Sequence, residues 1–230
     1  LHVFCPEELA ACLFWRTRPM YETSVACGHR MRLVFLGFDR LGEELLTYAL
    51  LNNIFDPGQC IEYHIFGDGR AFCGIHTQLS SISDPIIFHS EPWYNQLTLL
   101  EEAQLVVVLT QEEQLTLLKD LLLATRRAQI DVFTADSSYE APLAGQQRLR
   151  LFAWKRDTQN LDNIFHDTLF EQAQELNLRY TAAAAGRPIQ AYSREEEWRK
   201  LDPFTRCSNI SAADFSQVCR EILSGMRLRN

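Results

Sequence analysis

The stretch Met31-Arg32-Leu33-Val34-Phe35-Leu36-Gly37-Phe38-Asp39-Arg40-Leu41-Gly42 decides the fold of this chain. An apolar run that ends in glycine and is followed by a helical pattern predicts a strand, a tight turn and a helix. A second predicted strand, Ile61–Phe66, ends in Gly67-Asp68-Gly69 and completes a β-α-β unit.

Four more strands are predicted further along the chain. They are Pro85–Phe88, Leu105–Leu109, Ile130–Thr134 and, at an edge, Leu149–Trp154. Because strands alternate with helices, the sequence predicts an α/β fold with a doubly wound, mostly parallel, Rossmann-like sheet. In such a sheet the ligand crevice lies at the carboxyl ends of the strands.

The predicted organisation has three parts. Residues 25–160 form the Rossmann-like nucleotide-binding domain, and residues 1–24, with a strand at His2–Phe4 and a helix at Glu7–Arg16, form the tail of a preceding unit. Because the chain opens at Leu1 without a methionine, we expect it to be part of a longer protein. Residues 161–230 form a helical C-terminal appendage.

Helical spacing supports this appendage. Its predicted features are an apolar stripe, a break and two further helices. They are Phe165, Leu169, Ala173, Leu176 and Tyr180 for the stripe, Ala182–Pro188 for the break, and Arg194–Leu201 and Ala212–Leu223 for the helices.

The glycine turn is the strongest functional signal. Gly37 permits a tight turn, Gly42 permits close helix packing, and the amides at the helix start face a phosphate. The candidate nucleotide-binding residues are therefore Gly37, Phe38, Asp39, Arg40, Leu41 and Gly42. Asp39 stands where the dinucleotide fingerprint has its middle glycine, so its carboxylate can repel a pyrophosphate. The alternative is a turn of the same shape that binds nothing.

Three further residues have two interpretations each. Asp68 either accepts hydrogen bonds from ribose hydroxyls or belongs to an ordinary Gly-Asp-Gly loop. Arg40 either contacts a phosphate or pairs with Glu43 or Glu44. Thr110 either contacts the nucleotide or caps a helix together with Glu113.

The sequence offers no catalytic or metal-binding motif. The six histidines lack metal-ligand spacing, and neither a nucleophile elbow nor a lysine-bearing phosphate loop is present. We therefore expect no metal and a binding domain rather than an enzyme. The formal net charge of −8 argues against nucleic acid as a partner. Seven dispersed cysteines and short apolar runs predict a reduced, cytoplasmic protein.

The stretch Leu33–Leu45, together with Asp68, resembles the nucleotide-binding domain of potassium-transport regulators, the TrkA-N or regulator-of-conductance (RCK) type. The resemblance covers roughly residues 31–135. It implies NAD(H) or another adenine nucleotide as ligand, a homodimer, and regulation of ion transport. It also allows a membrane transporter or channel segment outside this chain, which would tether the domain to the inner face of the membrane.

The C-terminal pattern is similar to the ryanodine-receptor-type domain of some bacterial proteins, of which it is a partial copy. The resemblance covers about residues 163–230. It depends on Phe170-x-x-Ala173, Tyr180, Trp198-x-x-Leu201, Arg206, Ser208-Asn209 and Ala212-Ala213. Trp198, Leu201 and Ala212 fit ordinary helix packing, which makes Arg206, Ser208 and Asn209 the candidates for a polar binding face.

The leading functional hypothesis is a regulatory module that binds NAD(P) or an adenine nucleotide. One alternative is an NAD(P)-dependent oxidoreductase that uses the same crevice, for which the sequence offers no acid–base residue. The other is a scaffold that has lost nucleotide binding.

Overall fold

The computed structural model describes residues 5–110, 114–134, 147–159 and 170–229. Within these residues the strands form one six-stranded sheet, in which all neighbours are parallel. The strands are β1 (Arg30–Leu36), β2 (Cys60–Phe66), β3 (Ile86–His89), β4 (Leu105–Val108), β5 (Gln129–Phe133) and β6 (Leu149–Phe152).

The helices precede, connect and follow these strands. In chain order they are α1 (Pro6–Thr17), α2 (Tyr21–Ala26), α3 (Arg40–Asn52), α4 (Arg70–Ile75), α5 (Leu97–Glu102), α6 (Gln114–Ala124), α7 (Trp154–Thr158), α8 (Glu171–Ala185), α9 (Arg194–Lys200) and α10 (Pro203–Arg229). None of these helices, as far as the structure describes them, is long and apolar enough to span a bilayer.

The strand order is β3-β2-β1-β4-β5-β6. The order reverses between β1 and β4, as it does in doubly wound nucleotide-binding sheets. The predicted Rossmann-like sheet is therefore confirmed, with β1 at its centre and β6 at its edge. The predicted strand at residues 2–4 lies outside the described residues.

Both faces of the sheet are covered, which explains the uninterrupted apolar runs of β1 and β4. Leu33 and Phe35 face a core formed with α1, α3 and α10, whereas Val34 and Leu36 face a second core formed with α5 and α6.

Helix α1 covers the part of one face that the crossovers leave open. Right-handed connections place α3 and α4 over β1 to β3, and α6 on the opposite face. The Phe14 ring of α1 lies 5.0 Å from the Phe133 ring and 5.9 Å from the Phe152 ring. The predicted boundary at residue 24 thus falls inside one packed core.

Two buried carboxylates form ion pairs that connect α1 and the residue after it to neighbouring elements. Asp131, fully buried on β5, accepts hydrogen bonds from Arg18 and Arg150, with Nε to carboxylate distances of 2.7 and 3.0 Å. Asp214 of α10 accepts from Arg16 at 2.7 Å. Removing one partner of such a pair leaves a buried charge uncompensated, so both pairs fix how the elements dock.

The C-terminal helices differ from the prediction in extent. The segment Ala182–Pro188, predicted as a linker or a helix end, is a helix end, because alanine favours the helix and Gly186 closes it with φ of 61°. The predicted helix Ala212–Leu223 is the middle of α10. That helix begins nine residues earlier, where Asp202 accepts a hydrogen bond from the Thr205 amide at 3.0 Å.

The predicted apolar stripe of the appendage is also corrected. Phe165 and Leu169 lie outside the described residues, and Tyr180 is 62% exposed. Ala173 of the stripe is buried, and the buried face of α8 also includes Gln174, Asn177 and Leu178, because that face packs against α9 and α10. Tertiary contacts, rather than the apolar spacing, decide which side of this helix is covered.

Candidate functional site

Three candidate residues follow the carboxyl ends of neighbouring strands. Gly37 follows β1, Asp68 comes two residues after β2, and Thr110 comes two residues after β4. The Gly37 amide donates to the Phe66 carbonyl at 3.0 Å, and the Thr110 amide donates to the Leu36 carbonyl at 3.2 Å. The sheet therefore brings these candidates to one edge.

The turn after β1 has the backbone geometry that the glycines predict. Gly37 has φ of 98°, and a Cβ there would lie 3.2 Å from the Thr110 nitrogen. A Cβ on Gly42 would lie 3.1 Å from the Leu109 side chain, so α3 approaches the end of β4 closely. Gly37 thus sets the shape of the turn, and Gly42 allows the close packing of α3.

The Asp39 carboxylate is the N-cap of α3. Its Oδ1 accepts a hydrogen bond from the Gly42 amide at 3.1 Å. This amide is one of the donors that a phosphate would use at a helix start. The Asp39 carboxylate thus occupies the place that a phosphate oxygen would take at the Gly42 amide.

Arg40 forms ion pairs on the surface of α3, which was one of its two predicted roles. Its guanidinium lies 2.6 Å from Glu44 and 3.5 Å from Glu43. Burial raises the pKa of Glu44. The positive charge of Arg40 lowers this pKa, and the negative charge of Glu8 on α1 raises it further. The surroundings of the turn are therefore acidic.

Phe38 and Leu41 are packing residues. Leu41 is buried in the core that α3 shares with α1. The Phe38 ring lies edge-on to Phe72 and Phe88, with centroid distances of 5.5 and 5.2 Å. A Cβ on Gly67 would lie 2.5 Å from the Phe38 Cβ, so the end of β2 rests directly on this side chain.

Asp68 lies at the mouth of an open cleft between residues 67–70, after β2, and residues 90–93, after β3. The cleft has a volume of about 780 Å³ and is mostly apolar, with Phe66 and Trp93 among its walls. Arg70 pairs with Asp68 at 2.6 Å, and its hydrogen bonds hold the pKa of Asp68 at about 2. Both side chains are exposed, and a ligand that binds the carboxylate competes with Arg70, which donates to it from its backbone amide at 3.1 Å and from its guanidinium.

A chain of hydrogen bonds that motif spacing did not reveal ends in the same cleft. Arg32 donates to the Glu62 carboxylate at 2.7 Å, and Nε2 of His64 lies 3.3 Å from the same oxygen. Nδ1 of His64 lies 2.9 Å from Nε2 of His89, and the His89 ring lines the cleft. Glu62 and His64 are two residues apart on β2, so the sequence alone indicates that they lie on the same face of the strand. The contact of His64 with His89 could not be predicted in this way, because it depends on the register between β2 and β3.

The protonation of this chain follows from its charges. The hydrogen bond from Arg32 lowers the pKa of Glu62, while burial lowers the pKa values of His64 and His89. Beside an ionised Glu62, neutral His64 carries its proton on Nε2 and accepts at Nδ1. His89 must then donate from Nε2, which leaves its Nδ1 as an acceptor.

The remaining candidates are Thr110, Arg206, Ser208 and Asn209. The predicted capping box of Thr110 involves residues outside the described range. Asn209 is buried and donates to the Thr205 carbonyl at 3.0 Å, and Arg206 lies over the Trp198 ring at 5.7 Å, whereas Ser208 is exposed. Arg206 and Asn209 thus have partners within the protein, whereas Ser208 on the same helix faces solvent.

Among the described residues, no group of three or more histidine, cysteine, aspartate or glutamate side chains is arranged to hold a metal ion. Comparison with protein-family profiles and with curated protein sequences gives no significant match. The function of the site is therefore inferred from its geometry.

Proposed function

We propose that this domain is a regulatory, ligand-sensing module that binds NAD(H) or another adenine nucleotide at the carboxyl edge of the sheet. The nucleoside end occupies the cleft between β2 and β3. The observation that carries this proposal is the position of Asp68, which follows the second strand of a β3-β2-β1-β4-β5-β6 sheet and borders an open cleft. An acidic residue in this position accepts ribose hydroxyls in dinucleotide-binding folds.

The cleft suits a nucleoside in size and chemistry. Its volume of about 780 Å³ lies within the usual range for small-molecule sites. Aromatic side chains, Phe66 and Trp93, supply apolar surface for a base, and the Asp68 carboxylate supplies charge-assisted acceptors for hydroxyl groups.

The phosphates contribute less to affinity in this proposal than in a standard dinucleotide site. A phosphate over the turn would have to displace the Asp39 carboxylate from the Gly42 amide and approach Glu43 and Glu44. The nucleoside end is therefore the main anchor. Moderate affinity of this kind suits a sensor whose occupancy follows the concentration of its ligand.

The proposal assigns no chemistry to the domain, and its output is control of ion transport or a similar process by a homodimer. Sedimentation velocity with and without nucleotide tests the dimer. A monomer under both conditions would contradict that part of the proposal.

The second candidate is a scaffold that does not bind nucleotides. It is favoured by the self-capped turn, in which Asp39 and Arg40 already have partners within the protein. An oxidoreductase has less support, because no described group supplies a substrate site beside the turn.

Titration calorimetry and thermal-shift screening against NAD, NADH, NADP, ATP, ADP, AMP and cyclic dinucleotides separate these functions. The expected result is binding of at least one adenine nucleotide that Asp68→Ala weakens. The matched control is Asp56→Ala, since Asp56 accepts from the Gly58 amide at 2.8 Å and lies before β2, at the opposite edge. Binding of none of these ligands would favour the scaffold, and robust cofactor turnover would favour the oxidoreductase.

A further inference from the structure

The hydrogen-bonded chain from Glu62 through His64 to His89 ends on a ring that lines the cleft. The two imidazoles are nearly coplanar, with an interplanar angle of 21° and centroids 5.2 Å apart. With a nitrogen-to-nitrogen distance of 2.9 Å, this arrangement means that the rings meet edge to edge through one shared proton.

A second contact fixes the His89 ring from its face. The Phe66 ring stacks on it at 4.5 Å, with an interplanar angle of 13°. The ring is thus held by His64 at Nε2 and by Phe66 on one side. A polar group held in this way is preorganised for recognition.

We propose that His89 is a specificity-determining hydrogen-bond acceptor of the cleft, and that Glu62, acting through His64, keeps it an acceptor. The ligand chemistry it selects is a nucleobase with an N–H donor at the position that meets Nδ1, such as the 6-amino group of adenine. A base with a carbonyl oxygen at that position, such as hypoxanthine, is disfavoured. This inference rests on the proposed function, because it requires a nucleobase in the cleft.

The size of the effect follows from the cost of a mismatched polar contact. An acceptor facing a carbonyl oxygen leaves both groups without a donor, which costs more than the hydrogen bond contributes. We expect adenosine to bind about tenfold more tightly than inosine.

Acidification should remove this preference. A proton on Nδ1 of His89 turns that atom into a donor, while Nε2 continues to donate to His64. The titratable and charged groups around the pair come from four elements and the adjoining loops. They are Arg32 on β1, Glu62 on β2, Asp68 and Arg70 after β2, Cys73 on α4, Glu91 after β3 and Glu102 on α5.

The first test needs no ligand. Long-range ¹H–¹⁵N NMR correlations of the full chain at pH 8 report the tautomer of each histidine. The expected result is a proton on Nε2 and none on Nδ1 for both His64 and His89. A proton on Nδ1 of His89 would overturn the inference.

The second test compares adenosine with inosine by NMR titration of the wild type and three variants. His89→Phe and His64→Phe should reduce the tenfold preference to about one. His64→Asn should retain it, because the asparagine oxygen can accept where Nδ1 of His64 does. Equal affinity of the two nucleosides for the wild type, or an unchanged preference in His89→Phe, would overturn the inference alone. If AMP, adenosine and inosine all fail to bind, this result contradicts the proposed function and therefore also the inference that rests on it.

Discussion

The turn after β1 and the cleft between β2 and β3 lie at the same edge of the sheet, but the aspartates in them have different partners within the protein. In the turn, Asp39 caps the Gly42 amide and Arg40 pairs with Glu44. In the cleft, the exposed Asp68 carboxylate pairs with the exposed Arg70 side chain, and His64 holds the His89 ring. A glycine motif therefore specifies a backbone shape, whereas binding depends on how readily a ligand can replace the partners of the polar groups.

The two regions should consequently respond differently to substitution. Changes in the turn should mainly lower the free energy of unfolding, and changes at the exposed Asp68 should mainly lower affinity. Each of the following predictions tests one side of this contrast.

The largest effect is expected at Gly37. Gly37→Ala should lower the free energy of unfolding by about 2–3 kcal/mol, because φ is 98° and the new Cβ would lie 3.2 Å from the Thr110 nitrogen. Urea unfolding measures this change. The control is Gly74→Ala, where a Cβ meets nothing within 4 Å. A loss below about 0.5 kcal/mol at Gly37 would mean that the turn relaxes easily.

Asp68→Ala should weaken AMP binding roughly tenfold through the loss of charge-assisted hydrogen bonds. The free energy of unfolding should not change measurably, because Asp68 and its partner Arg70 are both exposed. Calorimetry and urea unfolding of the same protein check both statements. An equal loss of stability would remove the contrast between turn and cleft.

Asp39 should behave as a cap. Asp39→Ala should lower the free energy of unfolding by about 1 kcal/mol, whereas Asp39→Asn, which can still accept from the Gly42 amide, should cost only a few tenths. Asp39→Asn should also strengthen the binding of NAD relative to adenosine, because a negative charge is removed from the start of α3. Unchanged relative affinity would place the phosphates away from the turn.

The smallest effect is the contribution of the histidine pair to stability at low pH. Burial holds the pKa values of His64 and His89 below their ordinary value of 6.5, so the unfolded chain takes up these protons first as the pH falls. Their contribution is complete above pH 6.5 and is lost as the pH falls through the folded-state pKa values.

Urea unfolding at pH 7.5 and 5.5 measures this loss, which should be larger in the wild type than in His64→Asn. The comparison with the variant is needed because burial raises the pKa of Asp214, which acts in the opposite direction. Equal losses in both proteins would show that the pair does not titrate in this range.

The sequence predicted the features that depend on local pattern. The apolar runs located β1 to β6, and the glycine spacing located the turn and its helix. The direction of the Asp39 side chain was not predictable, because an aspartate at that position suits both a cap and a ligand contact. The pairing of His64 with His89 depends on which strands are neighbours, and a histidine spacing of 25 residues carries no such information.

The most direct test of the central claim is an NMR titration of the uniformly ¹⁵N-labelled chain with AMP. The account predicts saturable chemical-shift changes centred on the amides of residues 67–70, 90, 91 and 93, with smaller changes at residues 39–44. Changes centred on residues 39–44, with none around the cleft, would contradict it, and so would the absence of any saturable change.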